Sequence, residues 1–243
     1  MHFLHFLLHL MVSRSKRTST NSRHENTQEA PFQPEFPTEM NPDTTALILV
    51  GYQNDYFAPG GILRGVIEEP GRVDQVLANT LDLIRSMEDT AMTIVATPIV
   101  LEPEYRALAN SVGILDTIKA SGAFKRGTPG AETIRELAAF GDRIKFVTGK
   151  VGFNAFTNTD LEHVLRESSI TNVLVAGMVT SLCIDSTGRA AYERGYNVKI
   201  LSDCCSARTR MEQEFFCQNI FPLYGGVLDN REAIQQLTRP VAS

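Results

Sequence analysis

Several things are scarce in this chain, and each scarcity excludes a class of function. Long apolar runs are missing: Met1–Val12 is the notable one, too short to span a bilayer and without the basic leader of a secretory signal. No membrane role is expected. The net charge is −5 and no basic block occurs from Thr45 onward, so no nucleic-acid partner is expected either. Histidine is nearly absent from the region that reads as folded, where only His163 occurs. The four cysteines, Cys183, Cys204, Cys205 and Cys217, show no metal-ligand spacing, and no metal or other cofactor is expected. Adjacent Cys204 and Cys205 cannot easily both serve one disulfide framework, so reduced thiols in a cytoplasmic protein are the simpler account. The glycine fingerprint of dinucleotide-binding folds is lacking, as is any internal repeat.

What is present suits a soluble α/β protein. Of 243 residues, 43% are hydrophobic and 21% charged. Residues 1–44 differ from the rest: an apolar, His-containing start is followed by a Ser/Arg-rich stretch and then by Pro31, Pro34, Pro37 and Pro42. This reads as a disordered extension or an early start with Met40 as the alternative. The basic, acid-free stretch Arg14–Arg23 keeps an organelle-targeting reading open. Residues 45–237 read as one domain and 238–243 as a tail. Within the domain, short β-branched runs alternate with helical spacing. The expected strands are 46–50, 92–97, 144–147, 173–176, 197–201 and 224–228. The expected helices are 76–87, 128–140, 161–165, 183–194 and 211–219. Six strands alternating with helices predict a Rossmann-like, doubly wound, mostly parallel sheet with helices on both faces. Sites in such sheets form at the carboxyl ends of the strands.

One stretch organises the rest. Val173–Ala176 is a buried strand, Gly177 ends it, and Thr180 and Ser181 stand where they can cap a helix whose first turn carries Cys183. N–H groups and the positive helix end at that place favour a thiolate nucleophile and could hold an oxyanion. Lys150 follows the third strand, in a segment with Phe153 and Phe156, and could balance developing negative charge. Phe57, Phe153 and Phe156 read as pocket wall or as core, with at least one in the core. Asp185 is placed to serve the helix N-terminus electrostatically.

The motifs Y-Q-N-D-Y-F (52–57), G-K-x-G-F-N-A-F (149–156) and A-G-M-V-T-S-L-C-I-D-S-T-G-R-A-A-Y-E-R-G-Y (176–196) carry a family resemblance. From about Thr45 to Leu237 the chain resembles the isochorismatase-like cysteine hydrolases, which include nicotinamidases and related amidohydrolases. The resemblance implies a Cys–Lys–acid triad, with Cys183 as nucleophile and Lys150 as the lysine. It also implies a non-proline cis peptide, expected here between Val179 and Thr180, that aims the N–H groups of Thr180 and Cys183 at the oxyanion. Self-association is implied as well.

Two departures stand out. The acid of the triad would end the first strand, where this chain has Gly51. Asp55 is the nearest substitute, with Glu102 and Glu104 more remote. The histidines that nicotinamidases carry after the second strand are missing too, which argues against both a divalent metal and nicotinamide. Retention of Cys183 argues against the siderophore-pathway reaction. The resulting expectation is a hydrolase of a small amide, imide or related acyl compound acting through a Cys183 thioester. The alternative is an impaired member that binds a small molecule or a partner.

Overall fold

A computed structural model describes residues 40–239. The expected extension falls outside the described residues up to position 39, as does the tail from position 240. The described chain starts earlier than Thr45. Met40 is buried, and Pro42–Thr44 form a 3-10 turn, capped by Asn41, that leads into the first strand.

Six strands make one sheet: β1 (Thr45–Val50), β2 (Thr93–Thr97), β3 (Lys145–Phe146), β4 (Asn172–Met178), β5 (Asn197–Ser206) and β6 (Gly226–Leu228). Their order is β3-β2-β1-β4-β5-β6, and every pairing is parallel. All residues of β1 and β4 are buried. That requires cover on both faces and explains why these strands read as unbroken apolar runs. Each fully buried Leu, Ile or Val there contributes about 1.5–3 kcal/mol relative to exposure. The helices are α1 (Asn54–Phe57), α2 (Pro70–Ser86), α3 (Ile114–Ser121), α4 (Arg135–Ala138), α5 (Leu161–Glu167), α6 (Asp185–Glu193), α7 (Arg210–Phe215) and α8 (Asn230–Leu237). Helix α2 buries Val73, Val76, Leu83 and Ile84 along one face, at the spacing of a helix against a sheet, and its C-cap Met87 is buried too.

Three expectations need correction. The helix expected over 128–140 is a 3-10 turn, Pro129–Ala131, followed by the short α4. The segment between them is drawn into pairing with the loop after β1: Glu132 O accepts from Asn54 N–H, and Thr133 bridges Gln53. Helix α3 went unpredicted because its face is mostly half-exposed, with only Ile118 buried. Strand β5 runs on to Ser206 because Cys205 and Ser206 continue to pair with Gly177 and Met178 after a register shift.

The order of the strands reverses between β1 and β4. A crevice opens at the carboxyl ends on either side of such a switch point. Gly177 lets the two central strands meet there: its φ is +127°, and a side chain would run into the Val50 carbonyl.

Candidate active site

Strand β4 ends at Met178, and the Met178–Val179 peptide is cis. The expected cis bond at Val179–Thr180 is therefore displaced by one residue. Val179 already belongs to the turn that follows, because its carbonyl accepts from the N–H groups of Leu182 and Ile184. Residues Thr180–Ile184 form a single π-helical turn ahead of α6. Cys183 lies in that turn and not in the first turn of the α-helix. Thr180 and Ser181 are not caps. The Thr180 hydroxyl instead donates to Gln213 Oε1 at 2.6 Å, which also accepts from Ala207 N–H at 2.8 Å.

Lys150 arrives from the loop after β3, held by a parallel bridge to Ile99. It is 0% exposed. Its Nζ donates to the Gly152 carbonyl and lies 3.5 Å from Cys183 Sγ. Burial lowers the Lys150 pKa from the ordinary lysine value, against an upward pull from Cys183. The structure thus brings together two of the residues singled out in the sequence, Cys183 and Lys150.

Gly51 follows β1 with φ +73°. A Cβ there would lie 3.2 Å from the Met178 carbonyl and 3.5 Å from the Tyr56 ring. The position at which the family resemblance implies an acid therefore abuts the cis junction, with an aromatic ring against it. Asp55 is held elsewhere. Its buried carboxylate accepts from Phe124 N–H at 2.6 Å, and a side chain at Gly130 would collide with it. Asp55 binds α1 to the loops around Phe124 and Gly130, and it makes no ion pair with Lys150 among the described residues. Glu102 and Glu104 are exposed and face Arg126 and Arg106.

The three phenylalanines separate. Phe57 stacks on Tyr52 at 4.8 Å in the core, and the Tyr52 hydroxyl pairs with Thr80 of α2. Phe156 stacks with Tyr196 at 6.2 Å and lies under Arg194. Tyr196 immediately precedes β5, so Phe156 packs against the residue that leads into that strand. Both were candidates for pocket wall, and both are packed as core because aromatic neighbours fill their faces. Phe153 is only partly buried and follows the Gly152 carbonyl that receives Lys150, so it stays beside the site. Asp185 is committed to Arg189 at 2.9 Å and to the Tyr224 hydroxyl at 3.1 Å.

A sequence model of the isochorismatase domain matches residues 45–232. The chain belongs to the isochorismatase family of hydrolases. It is 28% identical over 185 residues to a ureidoacrylate amidohydrolase of Methylobacterium radiotolerans, covering 71% of this chain and 70% of that protein. An uncharacterized isochorismatase family protein of Bacillus subtilis is 27% identical over 169 residues, covering 68% and 79%. Among solved structures, a cysteine hydrolase from Pseudomonas syringae pv. phaseolicola superposes with a TM-score of 0.71 at 23% identity, covering 84% of this chain and 97% of that one.

In this isochorismatase-family chain three further residues shape the site. The Gln53 amide donates to Ile99 O and Ala131 O, and its carbonyl accepts from Ile99 N–H. It ties the loops after β1 and β2 together. Tyr56 is buried, and its phenol pKa is pushed up by desolvation and by nearby Cys183 and Asp55. Gln213 reaches from α7 to the turn that carries Cys183. Gln53 and Tyr56 lie inside a motif visible in the sequence, whereas nothing near Gln213 marked it. No cluster of His, Cys, Asp or Glu able to hold a metal ion occurs among the described residues. His163 is exposed and pairs with Glu167 at 3.2 Å.

The remaining thiols differ from Cys183 in their surroundings. Burial raises the pKa of Cys204 and Cys205 and pushes Cys217 up to about 12. All four cysteines are free.

Proposed function

We propose that this chain is a cysteine hydrolase that cleaves a C–N bond of a small amide, imide or related acyl compound through a thioester on Cys183. The observation that carries this reading is the buried Lys150 ammonium or amine 3.5 Å from Cys183 Sγ, at the strand-order switch point. Sulfur attacks the substrate carbonyl, N–H groups of the turn that carries Cys183 hold the oxyanion, the amine leaves, and water releases the acid. The ureidoacrylate amidohydrolase likeness makes ureido acids the first compounds to try.

Cytoplasmic residence is supported by four free thiols, and no helix among the described residues is long and apolar enough to cross a membrane. Self-association is supported by exposed Met211, Phe215 and Leu223.

The test is hydrolysis of a panel of small amides, imides and ureido acids by wild type, Gly51→Asp and Cys183→Ala. Turnover by wild type, lost in Cys183→Ala, supports the hydrolase. A second reading, an impaired member that binds a small molecule, is favoured by Gly51. Turnover by Gly51→Asp alone would select it.

A further inference from the structure

Lys150 has an unusual set of neighbours for a lysine with no exposed surface. Fully buried charges in proteins are ordinarily paired with an opposite charge. No carboxylate reaches Lys150 among the described residues, and the only ionisable group in contact with it is the Cys183 thiol. Hydrogen-bond accounting is compatible with either protonation state. An ammonium brings three N–H donors and no acceptor. Two partners receive Nζ here, the Gly152 carbonyl and Cys183 Sγ. A neutral amine fits the same two partners: it donates one N–H to Gly152 O and offers its lone pair to the thiol proton, leaving one N–H over just as the ammonium does.

We propose that Lys150 is the general base and general acid of the reaction, so that Cys183 and Lys150 act as a dyad passing one proton without a carboxylate. This rests on the cysteine-hydrolase reading above and goes further, since it gives the lysine the proton transfers as well as charge balance. In the first step the S–C bond forms, the carbonyl becomes an oxyanion and the thiol proton moves to Nζ. As the tetrahedral species collapses, the C–N bond breaks and Nζ returns the proton to the departing nitrogen. In the second half a water adds to the thioester and its proton moves to Nζ. The C–S bond then breaks, and the sulfur regains a proton from Nζ. The sum is amide plus water giving acid plus amine, with Cys183 and Lys150 restored. Desolvation, which lowers the Lys150 pKa, makes this amine available nearer neutral pH than an exposed lysine.

The other ionisable group facing the pair is Tyr56. Desolvation, Cys183 and Asp55 all hold its phenol protonated, so it cannot be the base. Asp55 is engaged by Phe124 N–H.

The test reads the dyad without a substrate. Iodoacetamide alkylation of Cys183 is followed across pH 5–10 by peptide mass spectrometry, in wild type, Lys150→Met and Lys150→Arg. Methionine matches the buried stem, and far-ultraviolet circular dichroism checks that the variant folds. At pH 7 alkylation of Cys183 in Lys150→Met should fall about ten- to thirtyfold and recover only at alkaline pH, where a thiol ionises unaided. Lys150→Arg keeps a cation but gives up an amine that can accept a proton. Alkylation can survive in Lys150→Arg, whereas turnover should fall about 10²–10⁴-fold. Wild-type alkylation rates in Lys150→Met, or wild-type turnover in Lys150→Arg, would overturn the proposal. Should the substrate panel find no reaction, the alkylation profile still decides whether the dyad exists. Should Lys150→Met misfold, Lys150→Gln replaces it in the same comparison.

Discussion

The four free thiols fall into two groups, Cys183 and the other three, and they are not equivalent. Cys183 is 6% exposed and Cys204 and Cys205 are 0% exposed, so access alone does not separate them. Their neighbours do. Cys183 has the Lys150 nitrogen at 3.5 Å, whereas Cys205 and Cys217 share the neutral Gln213 amide at 3.6 and 3.5 Å. Burial outweighs the pull of Arg72 on Cys205 and Cys217, and Asp203 at 3.6 Å from Cys204 adds to it, so these thiols are held protonated. Burial beside an amine offers the proton somewhere to go. On the proposed dyad, the reactivity of Cys183 would follow from the partner that the switch point delivers. Cys183 and Lys150 come from loops after different strands, and only the parallel topology makes them meet.

The comparison can be broken or sharpened in order of expected effect. Cys183→Ala should reduce turnover by at least about 10⁴-fold with the fold intact, measured on whichever panel substrate wild type accepts. Lys150→Met should lower turnover by about 10²–10⁴-fold and yet not destabilise the protein. The sign follows from linkage. The folded Lys150 pKa lies below the ordinary 10.5, so the unfolded chain binds more protons between the folded value and 10.5. Wild-type stability therefore rises with pH through that window, and at pH 7 the buried lysine is a net cost. Urea melts should show Lys150→Met at least as stable as wild type at pH 7, with the difference shrinking toward pH 10. Gln213→Leu removes the acceptor from Thr180 and Ala207 N–H and leaves the Ser202 carbonyl unpartnered by it. A loss of about 1–3 kcal/mol is expected, with kcat affected more than KM because the turn carrying Cys183 loses its brace. Cys217→Ala should change neither turnover nor the alkylation rate of Cys183, as read by peptide mass spectrometry.

The centre of the fold was legible because burial on both faces imposes its own composition. Ala46–Val50 and Val173–Ala176 are apolar throughout, and these cores lie within one or two residues of the bounds of β1 and β4. The stretch 128–140 misled, since Thr128-Pro129-Gly130 has the chemistry of a helix start. Its backbone pairs with Gln53 and Asn54, more than seventy residues earlier in the chain, which no local pattern reveals. Cys183 and Lys150 were legible as motif residues. The aromatic residues were not separable, because Phe57 and Phe156 owe their roles to Tyr52 and Tyr196. Gln213 carried no signal at all: a glutamine on an amphipathic helix looks like surface until the helix is placed against the Cys183 turn.

The most direct test is a competition among the four thiols of the folded wild-type protein. A limiting amount of iodoacetamide is added at pH 7, and each cysteine-containing peptide is quantified with time. The account predicts that Cys183 is alkylated at least about tenfold faster than Cys204, Cys205 or Cys217. Equal slow labelling of all four, or labelling led by the more exposed Cys217, would contradict it.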